Sequence, residues 1–130
     1  MIVMDTNVCI RILRGREDAL AFFSRNHECL AVPFMAVGEL YYGAERSKNP
    51  ESARIGVDRF LSMVQVVDSN GRIMSEYGKL KAALANVGLP VGDADTLIAA
   101  TAKSCGASIA TDNVKHFERF PGLEIHKLTA

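Results

Sequence analysis

Short apolar or β-branched runs alternate with longer amphipathic stretches along this whole chain, and that alternation restricts the fold more than any other feature. Residues 1–5 form an apolar run that ends at Asp5. Cys29-Leu30-Ala31-Val32, Val64-Gln65-Val66-Val67 and Ser108-Ile109-Ala110 are further strand candidates, and residues 123–126 supply one more at an edge. Between them the residues carry helical spacing and helix punctuation. Asp5-Thr6-Asn7 offers cap chemistry for a helix through about Arg14, which Gly15 breaks. Residues 16–26 form a second short helix. Pro33 opens a third that runs to about Lys48, and a fourth spans 51–63 with Ile55, Phe60 and Leu61 on one side. Ser69 or Asn70 caps a long helix through Val87, and Gly88-Leu89-Pro90 interrupts the chain. The Ala-rich stretch from Asp93 to Cys105 is then closed by Gly106. Strands separated by helices require right-handed crossovers. The expected fold is therefore α/β: three αβα layers around a mostly parallel sheet of about four to five strands.

At 130 residues, with 48% hydrophobic side chains, the chain fits one domain, 1–130, able to bury a core without staples. Fifteen basic residues balance fifteen acidic ones, which excludes a binder that works by bulk positive charge. Cys9, Cys29 and Cys105 lack CxxC spacing and are expected to be reduced, buried and cytoplasmic. His27, His116 and His126 are too scattered for a zinc site. The N-terminus reaches a charge at its fifth residue, unlike a secretory signal, and no apolar run approaches about 18 residues.

Four carboxylates stand out by position. Asp5 ends the first strand and Asp112 follows the fourth, at the sheet edge where ligands bind in open parallel sheets. Asp95 opens the Ala-rich helix, whose N-terminus points to the same edge. Glu39 is the only charged residue between Leu30 and Ala44, and on a helix it shares a face with Met35, Tyr42 and Arg46. Taken singly, Asp5 and Asp95 read equally well as helix caps, Asp112 as a turn residue and Glu39 as a solvated helix residue. Together they would repel one another unless a cation neutralised them. An all-oxygen ligand set suits Mg²⁺ or Mn²⁺.

The residues around these acids carry a resemblance. Met4-Asp5-Thr6-Asn7, Val37-Gly38-Glu39-Leu40-Tyr41-Tyr42-Gly43, Asp95-Thr96-Leu97-Ile98-Ala99-Ala100-Thr101-Ala102 and Thr111-Asp112-Asn113-Val114-Lys115-His116-Phe117 occur in one order across nearly the whole chain. In that order and spacing the chain resembles the PIN-domain ribonucleases, specifically the VapC-like toxins of toxin–antitoxin pairs. The resemblance implies a PIN-like domain and a Mg²⁺- or Mn²⁺-dependent endoribonuclease that hydrolyses RNA phosphodiesters with an activated water. It implies catalytic and metal-holding roles for Asp5, Glu39 and Asp95, and for Asp112 as a more variable fourth acid. Thr6, Asn7, Thr111 and Asn113 match supporting positions that orient carboxylates or water. Asp95, three residues before the Ile of Leu-Ile-Ala-Ala, is a better match than Asp93, which is then an N-cap or an outer carboxylate. Ala94 departs from the polar residue often found there.

Arg11 and Arg14, three apart on the first helix, Lys79 and Lys103 on later helices, and Lys115 after the fourth acid are candidate phosphate contacts, although each also reads as an ordinary surface charge. The resemblance further implies a cognate VapB-like antitoxin whose tail fills the acidic groove, and a homodimer. Phe22, Phe23, Phe34, Tyr41 and Tyr42 are candidates for such interfaces or for the core.

Three other readings compete. A haloacid-dehalogenase-type phosphatase wants a second Asp where Asn7 stands. A response-regulator receiver wants paired acids near the N-terminus that this chain lacks. A catalytically silent antitoxin-binding module has no need of intact acids. If the four acids serve a metal pocket, the remaining charges are net positive by four, and neutrality conceals a moderately basic surface around an acidic centre.

Overall fold

Side-chain alternation along three short central strands sorts the core into two halves. In the computed structural model, which describes residues 1–89 and 91–128, β1 (Ile2–Met4) sends Val3 to one face and Met4 to the other. In β2 (Leu30–Pro33), Leu30 and Val32 join Met4 while Ala31 joins Val3. In β4 (Ser108–Ala110), Ile109 and Ala110 divide the same way. This is the period of two that a sheet buried on both faces demands.

The remaining elements follow the expected alternation. Helices α1 (Thr6–Leu13), α2 (Glu17–Asn26), α3 (Phe34–Glu45) and α4 (Pro50–Ser62) pack Val8, Ile12, Phe22, Leu40, Val57 and Phe60 against the Met4 face. Helices α5 (Gly71–Asn86), α6 (Asp93–Ser104) and α7 (Val114–Phe117) pack Ile73, Leu80, Ile98, Ala99 and Phe117 against the Val3 face. With β3 (Gln65–Val67) and β5 (Ile125–His126), the sheet has five strands in the order β3-β2-β1-β4-β5, every neighbouring pair parallel. The fold is thus the expected three-layer α/β arrangement.

Helix boundaries follow local chemistry. Asp5 caps α1, its Oδ1 accepting from the Val8 N–H at 2.9 Å, and Asn49 and Asn70 cap α4 and α5 in the same way. Gly15 and Gly106, at φ 70° and 62°, occupy the left-handed region that lets the chain turn after α1 and α6. Several expectations need correction. Pro33 ends β2 and caps α3 rather than opening the helix, and α3 stops at Glu45. The four-residue α7 was not anticipated, being too short to show a helical period. Only Cys9 is buried; Cys29 and Cys105 are exposed. Ile55 is exposed too, so the buried stripe of α4 runs through Val57 and Phe60. Pro90, in the expected break, lies outside the described residues. Among the described residues no helix is long and apolar enough to cross a membrane.

The sheet order fixes where a site can form. The chain winds outward from β1 through β2 to β3, then returns to the other side of β1 to build β4 and β5. The winding reverses between β1 and β4, and the crevice beyond the carboxyl ends of those strands is the topological switch point. Met4 is in register with Ala110 there, so Asp5 and Thr111 stand side by side.

Candidate metal centre

A cleft of about 280 Å³ opens at this switch point. It is lined by Asp5, Thr6, Asn7, Ile10, Glu39, Tyr42, Gly43, Asp95 and Asn113. Residues from α1, α3, α6 and the loop after β4 thus meet at one place, although up to 108 positions separate them in sequence.

Asp5 is the fixed point. It is 4% exposed, and both carboxylate oxygens are held: Oδ1 by the Val8 N–H, Oδ2 by the Thr111 hydroxyl. It is therefore both a helix cap and a cleft acid. A carboxylate offers about four lone-pair positions, so two protein donors leave capacity for a cation. Burial pushes the Asp5 carboxyl above its ordinary 3.8, and the nearby Asp95 and Asp112 charges push the same way. The hydrogen bonds from Thr111 and Val8 oppose them. Thr111, fully buried, also accepts from the Asn113 N–H at 2.9 Å, which ties the loop after β4 to the acid.

Glu39 enters from α3 and accepts from the Thr6 hydroxyl at 2.5 Å. Asp95 enters from the first turn of α6, where its Oδ2 lies 3.0 Å from His116 Nδ1. The same nitrogen lies 2.8 Å from Asn113 Nδ2. One ring nitrogen either donates to Asp95 or accepts from the amide, so the His116 proton and the Asn113 amide orientation are linked. His116, as a partner of Asp95, was not among the site residues expected from sequence. Its only signal was a place five residues beyond Thr111 in the last motif.

Other expected site residues lie elsewhere. Asp112 is absent from the cleft lining, and Arg11 holds its carboxylate in an ion pair while also gripping Asp18. Asp93 points away, its Oδ1 accepting from Tyr77 Oη and Lys81 Nζ, both at 2.8 Å. Lys81 and Tyr77 hold the Asp93 carboxyl below its usual range. Gly92, not Asp93, is the N-cap of α6. Arg14 is exposed on the rim of an adjoining groove. Lys79 and Lys115 are exposed and outside the cleft. Lys103 lies at the far end of α6 from Asp95, held by the Pro121 carbonyl at 3.0 Å and Glu76 at 3.5 Å.

The donor set is all oxygen and short of positive charge. Among the described residues neither Asp5 nor Glu39 has a Lys or Arg partner. Also among them, no three His, Cys, Asp or Glu side chains converge closely enough to hold an ion by themselves. That pattern fits Mg²⁺ or Mn²⁺ better than zinc, because Mg²⁺ is held through one or two carboxylates and keeps several waters.

Comparison with known proteins agrees with the geometry. The family model described as PIN domain matches residues 2–123. The tRNA(fMet)-specific endonuclease VapC of Salmonella typhimurium is 35% identical over 124 residues, covering 95% of this chain and 94% of its own. Ribonuclease VapC2 of Rickettsia felis is 32% identical over 125 residues, covering 93% and 92%. Among solved structures, DNA-bound VapBC from Salmonella typhimurium superposes with a TM-score of 0.93 at 34% identity, over 98% of this chain and 99% of that one. A buried aspartate at the switch point of a parallel five-stranded sheet, two further acids lining the same cleft, and likeness over nearly the full length place this chain in the PIN-domain family, among the VapC ribonucleases.

Proposed function

We propose that this protein is the endoribonuclease toxin of a toxin–antitoxin pair, a single PIN domain acting in the cytoplasm, and that Asp5, Glu39 and Asp95 hold its Mg²⁺ or Mn²⁺. The observation that carries the reading is that these three acids, from α3, α6 and the end of β1, line one cleft at the switch point, spaced widely enough for waters to complete the shell of an ion. Bound there, the divalent ion supplies charge neutralisation at the scissile phosphate and acidifies water.

The chain's own residues do the rest. Thr111 and the Val8 N–H fix the buried Asp5 carboxylate in one orientation, so little reorganisation is needed when charge develops beside it. Thr6 fixes Glu39 through Oε1, and among the described residues Oε2 takes no protein hydrogen bond. Glu39 is thus placed to accept the proton of the attacking water as the new oxygen–phosphorus bond forms and the bond to the leaving nucleotide breaks. His116 and Asn113 orient Asp95. Asp112 acts at one remove: its ion pair with Arg11 positions the loop that carries Thr111 and Asn113.

An apolar groove of about 330 Å³, lined by Ile10, Leu13, Leu40, Ala53 and Val57, adjoins the cleft and shares Ile10, Glu39 and Gly43 with it. We assign it to the VapB-like antitoxin, in keeping with the VapBC complexes that this fold matches. The chain is expected to act as a homodimer. Initiator tRNA is the first substrate to try, since the Salmonella relative is named for tRNA(fMet).

The test is incubation of the purified protein with initiator tRNA and a mixed tRNA pool in Mg²⁺ or Mn²⁺, repeated with EDTA. Internal cuts that need the metal are expected. Intact RNA in both metals, or cutting indifferent to EDTA, would sink the assignment, and silence alongside tight antitoxin binding would favour a catalytically silent module.

A further inference from the structure

Adjacent tyrosines on α3 have contrasting surroundings. Tyr41 packs against the core, and its hydroxyl donates to Asp58 at 2.5 Å, so folding accounts for it. Tyr42 belongs to neither core cluster; it is 64% exposed and stands on the wall of the acid cleft. One turn further along, Arg46 lies over the Tyr42 ring with its guanidinium carbon 5.9 Å from the centroid, and Nη1 donates to the Tyr42 hydroxyl at 3.3 Å. Among the described residues Arg46 forms no salt bridge, so its charge is left for a ligand.

We infer that Tyr42 is the platform on which an unpaired nucleobase stacks beside the scissile phosphate, with Arg46 bracing the ring and meeting the neighbouring backbone. The inference rests on the ribonuclease reading and names the substrate contact within it. A flat aromatic face beside a guanidinium is what single-stranded RNA-binding surfaces present to bases. Tyr42 follows Glu39 by three residues, so the two side chains are neighbours on the helix surface, with Cβ atoms about 5–6 Å apart. A base seated on the ring therefore carries its phosphate to the acids. Bases paired and stacked in a duplex have no free face to offer, so the contact selects loops and single strands.

The experiment uses the full chain with Asp5→Asn to block cleavage, and single-stranded RNA oligonucleotides carrying 2-aminopurine at successive positions, alone or annealed to a complement. At one position the fluorescence should be quenched on binding, and the single strand should bind more tightly than the duplex. Adding Tyr42→Ala should remove that quenching and weaken binding roughly 5- to 150-fold. Tyr42→Phe and Tyr42→Trp should keep both, because the ring does the stacking. In the otherwise wild-type chain, Tyr42→Ala should raise KM for RNA more than it lowers kcat.

Unchanged affinity and quenching in Tyr42→Ala would overturn the inference. So would a Tyr42→Phe as weak as Tyr42→Ala, which would assign the hydroxyl instead. Unchanged RNA binding with loss of a co-expressed antitoxin would reassign the ring to a protein partner. Failure of both the wild-type and the Asp5→Asn chains to bind any RNA would overturn the ribonuclease reading itself, and the stacking inference with it.

Discussion

The carboxyl ends of β1 and β4 lie side by side, and each is followed by an aspartate, yet the two acids have opposite environments. Asp5 is buried beside the cleft, held by a hydroxyl and a backbone N–H, and has no basic partner among the described residues. Asp112 is exposed, outside the cleft, and paired with Arg11. The register explains the difference. Met4 pairs with Ala110, so the residue level with Asp5 is Thr111, and Asp112 comes one position later. Continuing the alternation of the strand sends Asp112 to the opposite face, the one covered by α1, where Arg11 waits. A one-residue offset thus separates an acid short of charge compensation from one already neutralised.

The contrast is broken most directly by exchanging each acid for its amide. Asp5→Asn should lower RNA cleavage about a thousandfold or more, because an interaction of several kcal/mol with developing charge is lost. Asp112→Asn should stay within about tenfold of wild type. Equal losses in initial-rate assays would place Asp112 in the reacting centre. The next effect in size concerns the hydroxyl between them. Thr111→Val removes the donor to Asp5 and should cost about 10- to 100-fold in activity or metal affinity. Wild-type activity in that variant would show that Asp5 needs no outside orientation.

A smaller effect concerns stability. Because burial raises the Asp5 carboxyl above 3.8, the folded state holds that proton more firmly than the unfolded chain does. The contribution of Asp5 to stability is therefore fully present below 3.8 and is lost as pH rises through its folded value. In EDTA, Asp5→Asn should melt higher than wild type near pH 7, and the difference should shrink as pH falls. A lower melting temperature for Asp5→Asn at pH 7 would mean that its hydrogen bonds outweigh its burial. The smallest effect belongs to Arg11→Gln. It loses solvent-screened ion pairs to Asp18 and Asp112, so the midpoint of a denaturant titration should move little. A large shift would make Arg11 a structural centre rather than a surface clamp.

Much of the fold was legible because it is written in short-range pattern. Val3 and Met4, Leu30 and Ala31, and Ile109 and Ala110 alternate as strands between two helical layers must, and Asn70 and Gly106 mark helix ends where their chemistry places them. Elements of about one period escaped: α7 is four residues long, and Val114-Lys115-His116-Phe117 has too little length for a helical stripe. Three acids at strand or helix ends and a fourth within α3 were legible as candidates, and three of the four line the cleft, but side-chain partners were not legible. Whether an aspartate lines the cleft or pairs with an arginine depends on contacts across 101 residues for Arg11 and Asp112, or 21 for His116 and Asp95. No local spacing encodes those distances. Asp93 shows the same limit. Its place before the Ala-rich helix suggests a cap, while Lys81 and Tyr77, brought in by the packing of α5 on α6, give it a different role.

Direct titration of Mn²⁺ into the RNA-free protein, followed by electron paramagnetic resonance or calorimetry, tests the metal centre without relying on catalysis. Wild type and Asp112→Asn should bind the ion with similar affinity, while Asp5→Asn should bind it at least tenfold more weakly. Binding of the same strength in Asp5→Asn, or its loss in Asp112→Asn alone, would contradict the assignment of the centre to Asp5, Glu39 and Asp95.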